Sequence, residues 1–247
     1  MDHIVVEDQG AIRTIRMSRP AKKNALTVAM YEAIHQALRG ADEDAAIRVV
    51  VITGEPGIFT AGNDLADFMQ APPNPEDSAV FRVLESLRVL KKPLIAVVDG
   101  MAIGLGTTML LHCDLVFAST RARFQLPFVN LGLVPEGASS LLLPARVGLQ
   151  RAAEWLFFGE PFDAEAARQA GLVNAVLSPD ELLPHAVERA RVLAGKPPEA
   201  LQATKRLLRQ PYTDAVAAAF TREGTEFVAR LRSPEAMAAF TAFFTKK

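Results

Sequence analysis

The sequence predicts an α/β protein in which short buried strands alternate with amphipathic helices. Three observations carry this. Ile47–Thr53 (IRVVVIT) and Leu94–Val98 (LIAVV) are near-continuous apolar runs, the pattern of strands covered on both faces. Between them, Ala79–Val89 places Val80, Val83, Leu84 and Leu87 at helical spacing. Gly100, Gly104 and Gly106 follow the second run and open another helix. Strands separated by helices imply βαβ units with right-handed crossovers.

Taken in order, Ile4–Glu7 and Ile12–Met17 flank Gln9-Gly10 and read as a β-hairpin. Ser18–Ala25 (SRPAKKNA) is a polar loop. Thr27 is a helix cap, followed by Met30, Ile34 and Leu38 on one face. After the Ile47–Thr53 strand, FTAGNDLADF is a loop running into a short helix near Asp64. Ala71–Asp77 (APPNPED) reads as a mobile surface loop. Thr107–His112 is helical and Asp114–Ala118 is a strand. Helices follow at Ser139–Val147, Gln150–Phe158 and Phe162–Gly171, the last with Asp163 as N-cap. Leu172–Leu177 is a short strand and Glu181–Leu193 a helix. Gly195-Lys196-Pro197-Pro198 breaks the chain. Glu199–Arg209, Asp214–Leu231 and Pro234–Phe244 then form three amphipathic helices. Their apolar residues exceed what a small appendage can cover alone. They are expected to fold over the core or a neighbouring subunit, rather than on a core of their own. The expected division is residues 1–194 as core and 195–247 as a C-terminal helical region.

The chain has 247 residues, half of them hydrophobic, with a net charge of -1. That charge favours neither nucleic acid nor an anionic membrane as partner. Cys113 is the single cysteine and sits in an apolar run, so no disulfide framework exists and a buried, inert thiol is expected. Met1–Gly10 lacks the apolar segment of a signal peptide, and no run reaches membrane-spanning length. A cytoplasmic protein is the expectation.

Each motif has a plain structural reading. A dinucleotide fingerprint needs G-x-G-x-x-G, whereas here the close pair Gly104 and Gly106 comes last, so these glycines read as tight helix packing. They also open a helix start, whose unpaired N–H groups can stabilise an anion. Phe59–Leu65 (FTAGNDL) alone is a loop capping a helix through Asn63 or Asp64. Glu136 in Pro135-Glu136-Gly137 alone is a turn glutamate.

Together they point elsewhere. FTAGNDL resembles the FxAGxDL motif of the crotonase (enoyl-CoA hydratase/isomerase) superfamily. IAVVDGMAIGLG resembles that family's AxNGxAxGGG segment, and CDLVFASTRARFQLPFVNLGLVPEGASS the segment after it. The likeness runs in order from SRPAKKNALT to AARQAGLVNAV. It implies a spiral of ββα units with a C-terminal helical oligomerisation region, in a homotrimer or a hexamer built of two trimers. It implies an acyl-CoA thioester as substrate, with coenzyme A part of that substrate, no other cofactor and no metal.

The resemblance implies roles for residues. Ala61 and Leu105, the latter replacing a family glycine, supply backbone N–H groups to the thioester oxygen. Gly62, Asn63, Asp64, Leu65, Gly104 and Gly106 shape that site. Lys22, Lys23, Asn24 and Ala25 sit in the loop that approaches coenzyme A, and Lys246 and Lys247 are within reach of its phosphates. Family hydratases use two glutamates, and the matching positions here are Thr108 and Phe128. A third position, eight residues past the second, holds the single base of the family's β,γ-enoyl-CoA isomerases. Here it is Glu136. Leu126, Phe128, Val129 and Leu133 are expected to line an apolar pocket that raises its pKa. Three functions remain open: a 3-enoyl-CoA to 2-enoyl-CoA isomerase, a hydratase or other crotonase-type enzyme using Glu136 with a water, and a scaffold that binds acyl-CoA without turnover. A hydratase would need a second acid. Asp64 and Asp67 are the nearest by motif, and both are expected to face away as caps.

Overall fold

A computed structural model describes residues 3–70 and 78–245. The stretch read as a mobile loop, 71–77, lies outside the described residues, as do Lys246 and Lys247. The hairpin forms as expected: β1 (Ile4–Gln9) pairs antiparallel with β2 (Ile12–Met17). The Thr27 hydroxyl accepts the Met30 amide and starts α1 (Val28–Glu43). Next come β3 (Val49–Thr53), β4 (Ile58–Thr60), α2 (Leu65–Gln70), α3 (Ala79–Val89), β5 (Leu94–Val98) and β6 (Met101–Ile103). Then follow α4 (Leu105–Thr108), a 3-10 turn over Met109–His112, β7 (Leu115–Ser119) and β8 (Arg123–Gln125). After α5 (Ser139–Val147) and α6 (Leu149–Phe158), β9 (Phe162–Asp163), α7 (Ala164–Gln169), β10 (Ala175–Leu177) and α8 (Pro179–Ala194) complete the core. The C-terminal helices are α9 (Pro198–Arg209), α10 (Thr213–Leu231) and α11 (Pro234–Thr245).

The strands form two sheets. The larger has the order β1-β2-β3-β5-β7-β10, parallel from β2 onward, and the smaller has the order β4-β6-β8-β9. In β3, Val49 and Val51 face Leu182, Ala186 and Ala190 of α8, while Val50 and Ile52 join the main core. Both faces are covered, which is why the run is apolar throughout. This α/β architecture of parallel sheets wrapped by helices has the fold class that the resemblance implies.

Four short strands differ from the sequence reading. β4, β6, β8 and β9 span only two or three residues each, too few to show a period. The helix expected from Thr107 begins at Leu105 and tightens to a 3-10 turn after Thr108. Phe162 belongs to β9, and the Asp163 cap, which accepts the Ala166 amide at 2.8 Å, starts the helix at Ala164.

The C-terminal helices fold over the chain's own core. Phe227, Ala236 and Phe240 join the main core cluster. On α9, the Lys205 ammonium and the Arg209 guanidinium straddle Asp114, with Nζ–Oδ2 at 2.6 Å and Nη2–Oδ1 at 2.9 Å. Lys205 also donates to the Lys92 carbonyl, and Arg209 to that of His112. Buried ammonium groups need such partners, so α9 has one seat on the core.

Candidate active site

The small sheet brings two loops together. The first follows β4. Here Thr60 Oγ1 donates to the Asn24 carbonyl at 2.6 Å and accepts the Gly62 amide at 3.1 Å. Asn24 is fully buried, and its amide nitrogen donates to the Ile58 and Phe59 carbonyls. Its Oδ1 accepts the Arg19 amide. Arg19 in turn reaches the Ala25 carbonyl and Asp64 Oδ2. Asn24 and Asp64 therefore fasten the 19–26 loop to the 58–64 loop, and their side chains are not free for a ligand. Asp64 Oδ1 also caps α2 through the Ala66 and Asp67 amides, and Asp67 accepts the Val28 amide. Both aspartates are caps, as expected.

One backbone donor differs from expectation. The Ala61 N–H, assigned to the thioester oxygen, donates to the Lys23 carbonyl at 2.9 Å. Two residues on, the Leu26 amide donates to the Gly62 carbonyl and the Asp64 amide to the Leu26 carbonyl. In such a parallel bridge the middle residue points its own N–H the other way. The Asn63 amide thus faces away from Leu26 and meets no acceptor among the described residues. The Asn63 side chain is held by the Tyr31 hydroxyl, which donates to its Oδ1.

The second loop runs from β6 into α4. Gly104 has φ +56°, a conformation glycine accepts cheaply, and its carbonyl takes the Thr107 and Thr108 amides. Leu105, in the family's glycine position, is outside the left-handed region and buries its side chain, so the replacement costs no backbone strain. As the first helical residue, its amide has no partner within the helix. The loops touch at Gly62, with φ +83°, where a Cβ would lie 2.6 Å from the Ile103 carbonyl oxygen and 3.9 Å from the Leu105 nitrogen. Two amides unpaired among the described residues, those of Asn63 and Leu105, are therefore set on adjoining loops at the start of a helix. Such a pair can receive a developing oxyanion.

One helical turn along α4 stands Glu136, the candidate acid–base group. Glu136 is 3 % exposed. Its Oε1 lies 2.5 Å from the Thr108 hydroxyl, and its Oε2 has no partner among the described residues. Burial pushes the carboxyl up to about 8, against the opposing Thr108 bond, and the nearby Glu223 charge adds to the rise. Thr108 Oγ1 is also 3.4 Å from the Leu105 carbonyl. Its single proton can go to the carboxylate when Glu136 is ionised, and to that carbonyl when Glu136 is protonated.

The turn after Glu136 is built to hold it. Gly137 has φ +72° and Ala138 φ +57°. The Glu136 carbonyl accepts the Ser139 hydroxyl at 2.6 Å, and His112 Nε2 donates to the Gly137 carbonyl at 2.7 Å. Burial lowers the His112 pKa to about 4, so it is a neutral donor at physiological pH.

Leu126, Phe128 and Leu133 are buried in the main core cluster with Leu84 and Leu105, but Val129, expected beside them, is 51 % exposed. Leu65 packs at the edge of that core, Ala25 is half-buried, and Lys22 and Lys23 are exposed. The Cys113 thiol is buried and pushed up to about 12 by burial, as an inert thiol should be. Among the described residues, no group of three or more His, Cys, Asp or Glu side chains is placed to hold a metal ion, and no helix is long and apolar enough to cross a membrane.

The sequence pattern of the enoyl-CoA hydratase/isomerase family matches residues 7–247. The chain belongs to the enoyl-CoA hydratase/isomerase family. Within it, the chain is 36% identical over 250 residues to enoyl-CoA delta isomerase 2 of Rattus norvegicus, covering 99% of this chain and 64% of that protein. It thus spans about two thirds of the length of that relative. It is 34% identical over 253 residues to 2,3-dehydroadipyl-CoA hydratase of Escherichia coli (strain K12), covering 100% of this chain and 97% of the relative. Among solved structures, that of Pseudomonas aeruginosa OdaA superposes with a TM-score of 0.97 at 46% identity, covering 100% of both chains. Relatives of similar identity thus carry both isomerase and hydratase names.

Tyr31, His112 and Glu223 join this site without a motif to announce them. Tyr31 and His112 sit in apolar surroundings, where a polar residue usually needs no special role. Glu223 had a signal. It falls on the apolar face of α10, in step with Val216, Phe220 and Phe227, where an unpaired carboxylate is costly.

Proposed function

We propose that this protein moves the double bond of an enoyl-CoA thioester from the β,γ to the α,β position, with Glu136 as the single base. The observation that carries this reading is a buried carboxyl with one oxygen unpartnered, while Thr108 and Phe128 occupy the positions of the hydratase glutamate pair. Glu136 Oε2 takes a proton from C2 of the acyl chain. The electron pair moves onto the thioester oxygen as a dienolate, which the Asn63 and Leu105 amides receive. The same carboxyl then returns the proton to C4, and the double bond forms between C2 and C3. No water enters the product, and atoms balance within the substrate. Lys22 and Lys23, exposed beside the Asn63 loop, meet the phosphate end of coenzyme A.

The competing reading is hydration, which the relationship to the Escherichia coli hydratase supports. It requires a second group to hold a water. The test is to incubate the protein separately with 3-enoyl-CoA and 2-enoyl-CoA and identify the products. Isomerisation of the first, with little 3-hydroxyacyl-CoA from the second, is expected. Rapid hydration with no isomerisation would overturn the proposal, and binding of both without turnover would identify a scaffold. The C-terminal region leaves Leu207, Leu208, Tyr212, Met237 and Phe243 exposed, which a homotrimer would cover. Sedimentation of a monomer at micromolar concentration would contradict that assembly.

A further inference from the structure

The Glu136 turn is held from a distant part of the chain. Ala138 carries a side chain in the left-handed region, a conformation that costs free energy and persists only where surroundings enforce it. The enforcing element is α10. Val216 and Ala219 pack on Ala138 in a small cluster of their own. One turn further along the same face, Glu223 Oε1 accepts the Ser140 amide at 2.8 Å. Glu223 is 7 % exposed, and its Oε2 has no partner among the described residues. Two buried carboxyls, each with a free oxygen, therefore stand on either side of the Gly137–Ala138 turn.

We propose that Glu223 is a positioning residue for Glu136: from α10 it grips the start of α5, fixes the left-handed Gly137–Ala138 turn, and sets the charge against which Glu136 works. Like charges in one dry site oppose simultaneous ionisation. Burial also raises the Glu223 pKa, against bonds from Ser140 and Ala138 and the charge of Arg222. Among the described residues, the other groups facing Glu136 are uncharged at neutral pH: Thr108 from α4, Tyr31 from α1, and His112 through the Gly137 carbonyl. Leu84 of α3 faces the turn with a methyl group. Glu223 is thus the carboxylate that tunes the base.

This inference rests on the reading of Glu136 as the acid–base group, and its test separates the two. The titration of the Glu136 carboxyl is followed directly by carbon-13 NMR of labelled glutamate, in the wild type, Glu223→Gln and Glu223→Ala, with Glu136→Gln to assign the signal. The Gln variant keeps an oxygen for the Ser140 amide and removes the charge. Its Glu136 titration should move down, with the acid limb of kcat/KM following and kcat within about tenfold of wild type. The Ala variant also frees the turn, and its kcat should fall roughly another tenfold, which the Gln variant recovers. A Gln variant whose Glu136 titration and pH profile overlay the wild type overturns the inference, as does equal loss of kcat in both variants with melting temperature alone changed. If the Ala variant does not fold, the Gln titration alone decides. If the wild type isomerises nothing but the titration moves, the reaction assignment fails and the Glu223 inference stands.

Discussion

The two sheets of this protein divide the labour of holding and acting. The large sheet is built from five- and six-residue strands, apart from β10, with both faces of its centre buried, and it contributes no group to the candidate site. The small sheet has strands of two or three residues, yet the loops from β4 and β6 carry the two free amides, and the chain after β8 carries Glu136. Short strands leave more of the chain as turns, and turns can point backbone donors at a ligand instead of at each other. The comparison teaches that the chemistry sits where pairing ends early, on a frame stiffened by its neighbour.

If that division is right, damage to the two regions should have different signatures. The largest effect is expected at Glu136. Glu136→Gln keeps shape and polarity but cannot accept a proton, so turnover should drop by roughly 10²–10⁴ or more while acyl-CoA binding persists. Calorimetric titration with a substrate analogue, alongside kinetics, checks both halves. Next is the amide pair. A Cβ on Gly106 would lie 2.6 Å from Thr60 Cγ2 and 3.2 Å from the Thr60 carbonyl oxygen, prising α4 from β4. Gly106→Val should lower kcat by about 10²–10³, the scale of losing one oxyanion donor, with the circular dichroism of the fold retained. Unchanged turnover would remove this segment from the mechanism.

The large sheet should behave in the opposite way. Ile52 is fully buried in β3 of the large sheet. Ile52→Ala should cost about 2–5 kcal/mol of stability in denaturant unfolding and leave kcat within a few-fold of wild type. A large kcat loss in that variant at full occupancy of the folded state would erase the contrast between the sheets.

The pH dependence sharpens the same contrast. Glu136 must be ionised to take a proton, and its carboxyl is held at about 8, so kcat/KM should rise with pH through that value, roughly tenfold per unit below it. Stability has the reverse sign. The native state keeps a proton on Glu136 that the unfolded chain releases near the ordinary value of 4.5. This contribution is therefore fully present below about 4.5 and is lost as pH rises to about 8. Glu136→Gln should flatten the fall of melting temperature across that window.

The unequal legibility of the sequence follows from the same physics. Val49–Thr53 and Leu94–Val98 announce themselves because both faces are dry. Thr27 and Asp163 mark helix starts by capping chemistry that needs only local chain. The strands of the small sheet are too short for a period, and the pairing of the Ala61 amide with the Lys23 carbonyl joins two loops that no local pattern connects. Glu136 was legible through its place after Pro135 in an ordered set of motifs. Glu223 showed only as a carboxylate on an apolar helix face; its partner was not legible, because the contact with Ser140 spans 83 residues.

The central claim is that one carboxyl both removes and returns the proton. It is tested most directly with 3-enoyl-CoA carrying two deuterium atoms at C2, in ordinary water, with the product analysed by NMR and mass spectrometry. A single buried base predicts deuterium retained at C2 and transferred in part to C4 of the 2-enoyl-CoA product. Product carrying only solvent hydrogen at the newly filled C4 position, at every extent of reaction, would contradict the claim and require a second acid in contact with water.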